Sequence, residues 1–388
     1  MGQRKSYKEL EAIKNKFNVS TLWSFSKYNT YKNDRWEYCL KYIKRIDPDI
    51  DRNIYMPLGI LAHDLMEKLY NKEIKYEDML ELYEEGWMKL QLAGYKFNNS
   101  DEAKNESTMN KYKECMEHFF KYNKPIDSKV EIERLIVIRN SPFVLIGYID
   151  ILFKEGDNFI VGDFKTSRLY VGEKLKKEAK QLILYSEALI QAGISMENIK
   201  PRWNFLKYVT VEFYRAKIDK ETKENVKATR NIERNEIGSK LSANVKMWLG
   251  KSGYTEDEIE NYLSTMILTN SIEHLPEEVK SKYKFSDCWV EIELTQEIID
   301  EVKNDVRETL IEIMKKQIEW EETKDDSIWW QDVTDNQASL LAMMGNFSPK
   351  LHLPWKKYLE EREERLKQEK GIFGGNDNLD DDWMKDLF

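Results

Sequence analysis

The amino-acid sequence predicts an α/β fold, and three observations support this prediction. The first is a pair of strand-like segments joined by a short turn within residues 143–165. The second is a helical pattern that begins at Lys174, directly after the second of these strands. The third is the recurrence of strand-like segments at 129–138, 203–215 and 288–294, with long helical stretches between them. Such an alternation is typical of helices packed on a sheet.

The segment 143–165 is predicted to be a β-hairpin. Its first strand carries apolar residues on both faces, as expected of a strand covered on both sides. The residues 155–158 (EGDN) provide a two-residue Gly-Asp turn whose glycine takes a positive φ. In that register Asp150 lies opposite Asp163, with the two Cβ atoms about 4.5–5.5 Å apart. Both carboxylates are then close enough to hold one divalent cation.

Lys165 follows Asp163 by two residues and is predicted to point to the same face. Two acids and a lysine are costly to bury among apolar residues unless a partner neutralises them. The cluster is therefore either a metal site or a salt-bridged patch on an edge hairpin. The helix that follows favours the first interpretation, because its packing stripe leaves Gln181 and Tyr185 together on a separate face, one turn apart.

The order of these residues along the chain resembles a nuclease signature. It consists of GYID ending at Asp150, DFK at 163–165 thirteen residues later, and Q-x-x-x-Y from Gln181 to Tyr185. Each element alone is frequent by chance, whereas the ordered set resembles the RecB-type branch of the PD-(D/E)xK nuclease superfamily. The resemblance covers about residues 20–216. It implies a restriction-endonuclease-like core, with a mixed central sheet flanked by helices and with large helical additions.

The same resemblance implies roles for individual residues. Asp150 and Asp163 are the expected metal ligands, joined by the main-chain carbonyl of Phe164. Lys165 would orient or deprotonate the attacking water or stabilise developing charge, or would simply be a counter-ion for the two acids. Gln181 and Tyr185 would position their helix and contact the DNA backbone. Further phosphate contacts are expected from Thr166, Ser167, Arg168, Lys177 and Lys180.

Two more candidate ligands lie upstream of the hairpin. The pattern Gly59-x-x-x-His63-x-x-x-Glu67, within a predicted helix over 56–70, resembles the histidine motif of the family, so His63 is expected to bind metal. The alternative is a histidine with no ligand role. On the strand 129–138, Glu131 matches the acidic residue of the family better than Glu133 does. The alternative for Glu131 is an exposed edge acid.

Composition limits the class of protein. The net charge of −9 is unusual for a protein that binds nucleic acid, but the charges are local: cations crowd the approach to Gln181, whereas acids load the C-terminus. The three cysteines are widely spaced and too few for an iron–sulphur cluster, so no cluster is expected. No apolar run of eighteen residues and no secretory signal is present, which predicts a protein without membrane contact in the cytoplasm of a bacterial or bacteriophage-infected cell.

The chain is predicted to have five parts. They are an N-terminal helical part of the nuclease domain with the histidine motif (1–128), a catalytic α/β core (129–216), a helical insertion or cap (217–286), a C-terminal strand and helices (287–370), and a flexible acidic tail (371–388). The tail resembles the acidic tips of single-stranded-DNA-binding proteins. Trp383 and Phe388 are therefore predicted to bind a partner, with a solubilising end as the alternative.

Taken together, the residues and the resemblance predict a Mg²⁺- or Mn²⁺-dependent deoxyribonuclease, more an exonuclease than an endonuclease, in DNA recombination, repair or replication. The chain has no P-loop, so a helicase motor would be a separate protein. The expected partners are DNA and a helicase, a recombinase or a single-stranded-DNA-binding protein. Two alternatives stay open, namely a non-catalytic DNA-binding scaffold that recruits partners through its tail, and an RNA nuclease.

Overall fold

A computed structural model describes residues 6–49, 54–97, 101–218 and 220–330, together with residues 347, 351, 360, 361, 364, 365, 367 and 368. The helices are α1 (Tyr7–Phe17), α2 (Phe25–Asn33), α3 (Arg35–Tyr38), α4 (Tyr55–Tyr70), α5 (Met79–Leu92), α6 (Glu102–Tyr122), α7 (Gly172–Gln191), α8 (Ile237–Lys251), α9 (Glu256–Thr269), α10 (Glu277–Lys280) and α11 (Gln296–Thr323). The strands are β1 (Trp23–Ser24), β2 (Val130–Asn140), β3 (Phe143–Glu155), β4 (Asn158–Lys165), β5 (Ile199–Ile218), β6 (Asn225–Glu233) and β7 (Tyr283–Glu291). The tail at 371–388 lies outside the described residues.

The strands form one mixed seven-stranded sheet, which confirms the predicted fold class. Its main path runs β1-β3-β4-β5-β6, with β2 added beside β3 and β7 beside β5. β4 and β5 are parallel, and α7 is the helical crossover between them. The other pairs are antiparallel, except that β1 runs parallel to β3.

The predicted hairpin between β3 and β4 is confirmed in register and in turn. Pairing runs from Ile151 with Gly162 to Glu155 with Asn158, and Gly156 in the turn has a φ of +61°. Before Ile151 the two strands part, because β4 continues alongside β5 while β3 takes β1 as its neighbour at Leu145 and Ile146. Residues 147–150 of β3 thus have no partner strand on this edge in the part of the chain that the structure describes. We call this gap, between Asp150 on β3 and Asp163 on β4, the seam.

Helices cover both faces of the sheet. α7 and α11 lie on one face together with α2 and α3, whose aromatic side chains are buried in the same core, while α4, α5 and α6 cover the other face. The buried aromatic residues of α2 and α3 therefore contribute to the packing of this core. No helix of the described residues is long and apolar enough to cross a membrane.

The segment 218–284 is not wholly helical, and this expectation was wrong. α8, α9 and α10 are present, but β6 precedes them, and β7 begins at Tyr283 rather than at Cys288. Only Ile232 of β6 is buried and most of its residues are polar, so the strand lacks the apolar content by which buried strands are recognised. It is held by antiparallel pairing with the second half of β5, and α8 to α10 bury a separate small core against this ribbon.

Arg234, directly after β6, joins the ribbon to the core. Its side chain is only 4% exposed, and its guanidinium donates to the carbonyl of Leu206 at 2.9 Å and to Asp287 Oδ1 at 2.8 Å. The same group lies 3.3 Å from His118 Nδ1 on α6 and over the ring of Phe119. A buried charge is stable only when it is paired in this way. Arg234 therefore links β5, β7 and α6.

Candidate active site

The seam brings Asp150 and Asp163 together from adjoining strands. The register of the hairpin, continued by one residue beyond Ile151 and Gly162, sets the two aspartates opposite each other, as predicted. The side chain of Asp163 is 7% exposed and that of Asp150 is 17% exposed. Asp150 Oδ2 accepts a hydrogen bond of 3.3 Å from the backbone N–H of Phe164. The two carboxylates thus lie where the pairing between β3 and β4 has ended, while β4 remains paired with β5.

Lys165 is paired with Asp163. Its Nζ lies 2.5 Å from the buried Oδ2 of Asp163, so the two side chains form an ion pair. Burial lowers the pKa of Lys165, but the negative charge of Asp163 outweighs burial and the pKa lies above its ordinary value. Lys165 is therefore a protonated ammonium that neutralises the buried carboxylate of Asp163.

His63 reaches the seam from α4. Its Nε2 lies 2.9 Å from the carbonyl oxygen of Phe164, to which it must donate, and its Nδ1 lies 3.2 Å from Asp150 Oδ2. His63 therefore contacts two other predicted ligands, Asp150 and the Phe164 carbonyl. In this arrangement the described His, Cys, Asp and Glu side chains include no group of three or more with the spacing of a metal site.

The protonation of this group follows from burial. Burial, and next the negative charge of Asp163, hold the pKa of Asp150 well above its ordinary range. Burial also lowers the pKa of His63, an effect to which the charge of Lys165 adds. Both directions favour the neutral forms of His63 and Asp150. Metal ligands are deprotonated, so a divalent cation bound here would oppose the rise in the pKa of Asp150.

Tyr185 and Gln181 stand behind the seam on α7, one turn apart as predicted. Gln181 Nε2 donates to the Tyr185 hydroxyl at 3.1 Å, and the ring is 7% exposed. Burial raises the pKa of Tyr185 to about 12. Its ring occupies the space above Gly147 on β3, where a Cβ would lie 2.5 Å from Tyr185 Cε1. Gly147 is thus required for the close approach of helix and strand.

The acidic residue nearest the seam on β2 is Glu133. Its negative charge acts on both Asp150 and His63, raising the pKa of each. Glu133 has a φ of +49°, an uncommon conformation for a residue with a side chain and one that is often found at functional sites. Glu131, the residue favoured from the sequence, pairs with Leu152 in the ladder, and its carboxylate lies 2.8 Å from Arg134. The structure does not bring Glu131 into the group.

The expected phosphate contacts separate into two sets. Thr166, Ser167 and Arg168 follow Lys165 at the end of β4, and Lys177 is exposed on α7. Lys180 is engaged elsewhere, because its Nζ lies 2.6 Å from Asp305 Oδ2 on α11, which also accepts a hydrogen bond of 2.5 Å from the Tyr28 hydroxyl. Trp383 and Phe388, the expected partner contacts, lie outside the described residues.

The family model of the PD-(D/E)XK nuclease superfamily matches residues 22–325, which is well over half of the chain. The chain belongs to the PD-(D/E)XK nuclease superfamily. A comparison with curated protein sequences found no match. Membership makes this PD-(D/E)XK nuclease a hydrolase acting on phosphodiester bonds, with nucleic acid as its substrate.

PD-(D/E)XK nucleases generally use divalent metals such as Mg²⁺, and the donors at the seam fit such an ion. Mg²⁺ prefers carboxylate and carbonyl oxygens, and Mn²⁺ also accepts imidazole. Asp163 is a buried carboxylate, and the ammonium of Lys165 here supplies the positive charge that a metal ion would supply beside it. Asp150, Asp163, His63 and the Phe164 carbonyl could hold the ion.

Two residues beside the seam, Glu133 and Gly147, are not predicted as site residues from the sequence. The sequence favours Glu131 because it matches the acidic residue of the family better, and the left-handed backbone of Glu133 is not visible in residue types. Gly147 was treated only as a strand position, although a glycine inside a strand is a signal of close approach by another element.

Proposed function

We propose that this nuclease is a Mg²⁺- or Mn²⁺-dependent deoxyribonuclease of the RecB-type branch that acts as an exonuclease in DNA recombination, repair or replication. The observation that carries the proposal is the seam, where two buried carboxylates, an imidazole, a main-chain carbonyl and an ammonium lie together. The support for the RecB-type branch and for exonuclease action is the ordered set of GYID, DFK and Q-x-x-x-Y. Its expected partners are DNA and a helicase, a recombinase or a single-stranded-DNA-binding protein.

The metal ligands in this proposal are Asp150, Asp163, His63 and the carbonyl of Phe164. When bound, a divalent cation there neutralises charge at the scissile phosphate and lowers the pKa of water. The chain holds these ligands where β3 and β4 part, so that no ladder pairing joins the two strands at Asp150 and Asp163. Tyr185 and Gln181, fixed by their mutual hydrogen bond, position α7 behind the ligands and face the DNA backbone.

Lys165 acts as an ammonium in this proposal. Because its pKa lies above the ordinary value beside Asp163, it donates rather than accepts protons. It is thus suited to orient water and to stabilise negative charge that develops at the phosphate, and less suited to deprotonate water. Glu133 adds negative charge near Asp150 and replaces Glu131 as the acidic residue of β2 in this proposal, where its part is electrostatic.

The proposal is tested by digestion of labelled substrates. A linear duplex and a single strand, labelled at the 5′ or 3′ end, a closed circular duplex and an RNA of the same sequence are each incubated with Mg²⁺, Mn²⁺ or EDTA. The unmodified chain is compared with Lys165→Ala and with Lys154→Ala as a control. Lys154 is exposed near the turn of the same hairpin, away from the seam.

We expect metal-dependent loss of linear DNA, abolished by Lys165→Ala and unchanged by Lys154→Ala, with the labelled end giving the polarity. Cleavage of the circle would make the protein an endonuclease. Cleavage of RNA alone would make the protein a ribonuclease. No cleavage of any substrate with either metal would refute the catalytic proposal and leave a nucleic-acid-binding scaffold.

A further inference from the structure

Lys207 on β5 is a half-buried cation without an anionic partner. In the described residues its Nζ makes no ion pair or hydrogen bond, and it lies over the ring of Tyr112 on α6, 5.3 Å from the ring centre. Burial lowers its pKa. The nearby acid Glu233 accepts a hydrogen bond from the Tyr208 hydroxyl instead. A cation–π contact offsets only part of the cost of burying an ammonium.

A bulge in β5 directs Lys207 to this place. Pairing with β7 shifts between Asn204 and Val209, so the strict alternation of side chains is interrupted in this stretch. Phe205 packs in the core beneath α7, whereas Leu206 packs in the core beneath α4, α5 and α6. Regular alternation would return Lys207 to the side of Phe205. The bulge instead leaves its ammonium over Tyr112, on the side of the sheet from which His63 reaches the seam.

Other polar groups lie near the ammonium of Lys207. The hydroxyl of Tyr112 is buried and makes no hydrogen bond of regular geometry among the described residues. Burial raises the pKa of Tyr112, and the nearby side chain of Thr166 opposes that rise. Arg168 makes no ion pair among the described residues, and its positive charge acts on both Lys207 and Tyr55. Two unpaired cations and a buried unpaired hydroxyl therefore meet just beyond the end of β4.

One face of α4 connects this place to the seam. Tyr55, Gly59 and His63 follow one another at intervals of four residues and so lie in a row along the helix. His63 touches Asp150, a Cβ on Gly59 would lie 3.8 Å from Thr166 Oγ1, and the Tyr55 ring packs 6.3 Å from that of Tyr112. At about 1.5 Å per residue the row spans about 12 Å.

We propose that Lys207 and Arg168, with the Tyr112 hydroxyl, form a second phosphate-binding subsite, which holds a backbone phosphate of the substrate strand a few nucleotides from the scissile one. The inference rests on the proposed function, since it extends the same substrate along α4. A phosphate supplies the charge that both cations lack and an acceptor for the buried hydroxyl. The strand then leaves the seam over α4 and α6, and not over α7, where Lys180 is already paired with Asp305.

The test measures binding with cleavage blocked. Fluorescence anisotropy in EDTA, at several salt concentrations, gives the affinity of the full chain for a labelled DNA single strand, a duplex and an RNA single strand. The variants are Lys207→Met, which keeps the aliphatic stem on Tyr112, and Lys207→Arg, which restores the charge. The matched control is Lys154→Met, because Lys154 also lies over an aromatic ring, 4.5 Å from the centre of Phe159, but near the hairpin turn.

We expect Lys207→Met to weaken binding and to reduce the slope of log affinity against log salt by about 0.7 for a single strand or about 0.9 for a duplex. Lys207→Arg should restore most of the slope, and Lys154→Met should leave it unchanged. Thermal unfolding distinguishes a structural role of Lys207 from phosphate binding. Removal of an unpaired half-buried charge should leave Tm unchanged or raise it. A lower Tm with an unchanged slope would overturn the subsite.

The outcomes also separate this inference from the proposed function. Binding that persists in Lys207→Met with the same affinity and salt slope would refute the subsite alone. A full chain that binds neither DNA nor RNA would refute both. A slope that falls for RNA and not for DNA would support the subsite and overturn the assignment of DNA as substrate.

Discussion

Replacement of Gly147 with alanine would place a methyl group in steric overlap with the edge of the Tyr185 ring. The added Cβ would lie 2.5 Å from Cε1 and 2.8 Å from both Cζ and the hydroxyl oxygen. These distances are far below van der Waals contact. The ring cannot yield freely, because it is 7% exposed and its hydroxyl is held by Gln181. Either α7 moves away from β3 or the ring rotates and loses that hydrogen bond.

The magnitude follows from these two responses. Overpacking of a dense core costs about 1–3 kcal/mol, and loss of the Gln181 hydrogen bond adds about 0.5–1.5 kcal/mol. We expect the free energy of unfolding to fall by about 2–4 kcal/mol in total. With an unfolding entropy of about 2.1 cal/mol/K per residue over 388 residues, Tm should fall by roughly 2–5 °C.

The assay is thermal unfolding of a double-mutant cycle. Gly147→Ala is measured in the natural background and in Tyr185→Leu, which removes the ring and its hydroxyl. Gly250→Ala is the control, because a Cβ at that helical position meets no atom within 4 Å and should stabilise α8 by about 0.5–1 kcal/mol. If Gly147→Ala costs the same with and without the tyrosine ring, the steric argument is wrong.

Three further predictions concern charge. The hydrogen bonds from Lys180, Tyr28 and Lys32 outweigh burial and lower the pKa of Asp305 to about 2, so its contribution to stability is present above pH 4 and lost as pH falls toward 2. Asp305→Asn should cost about 1–2 kcal/mol at pH 7, after allowance for solvent screening, and almost nothing near pH 2 in thermal unfolding. Burial and Asp163 raise the pKa of Asp150, so the folded state keeps a proton that the unfolded state loses as pH rises above about 4, and stability falls. Asp150→Asn should therefore raise Tm in EDTA at pH 7 and flatten its pH dependence, and an unchanged Tm would contradict a buried protonated Asp150. Glu133→Gln should reduce kcat at least tenfold, the equivalent of about 1.4 kcal/mol, while Glu131→Gln leaves it within twofold in the digestion assay.

The core of the fold could be predicted from the sequence because its signals are local and apolar. The β3–β4 hairpin follows from a two-residue Gly-Asp turn between apolar strands, and α7 follows from its buried stripe. β6 was missed because its stability comes from pairing with β5 and not from its own burial. A weak signal was present, since Val226, Ala228 and Ile232 share one face of an alternating pattern.

The candidate site could be predicted only where one residue type and one spacing decide the geometry. Asp150 opposite Asp163 follows from the register of the hairpin, whereas the choice between Glu131 and Glu133 depends on a left-handed φ that residue types do not encode. Lys180 was expected to face DNA because it is a cation near Gln181. Its partner Asp305 comes from a helix more than a hundred residues later, which no local pattern could associate with it.

The position of Arg234 also determines how this chain can be shortened or recombined with its relatives. The boundary expected near residue 217 would remove β6 together with Arg234, leaving the carbonyl of Leu206 and the carboxylate of Asp287 without their donor in a buried place. A viable graft would therefore retain the ribbon through Arg234 and exchange only the helical segment beyond it, with a new cover for Val209 and Val211. Segments on that side of the sheet could then be exchanged while Arg234 keeps its contacts with β5, β7 and α6.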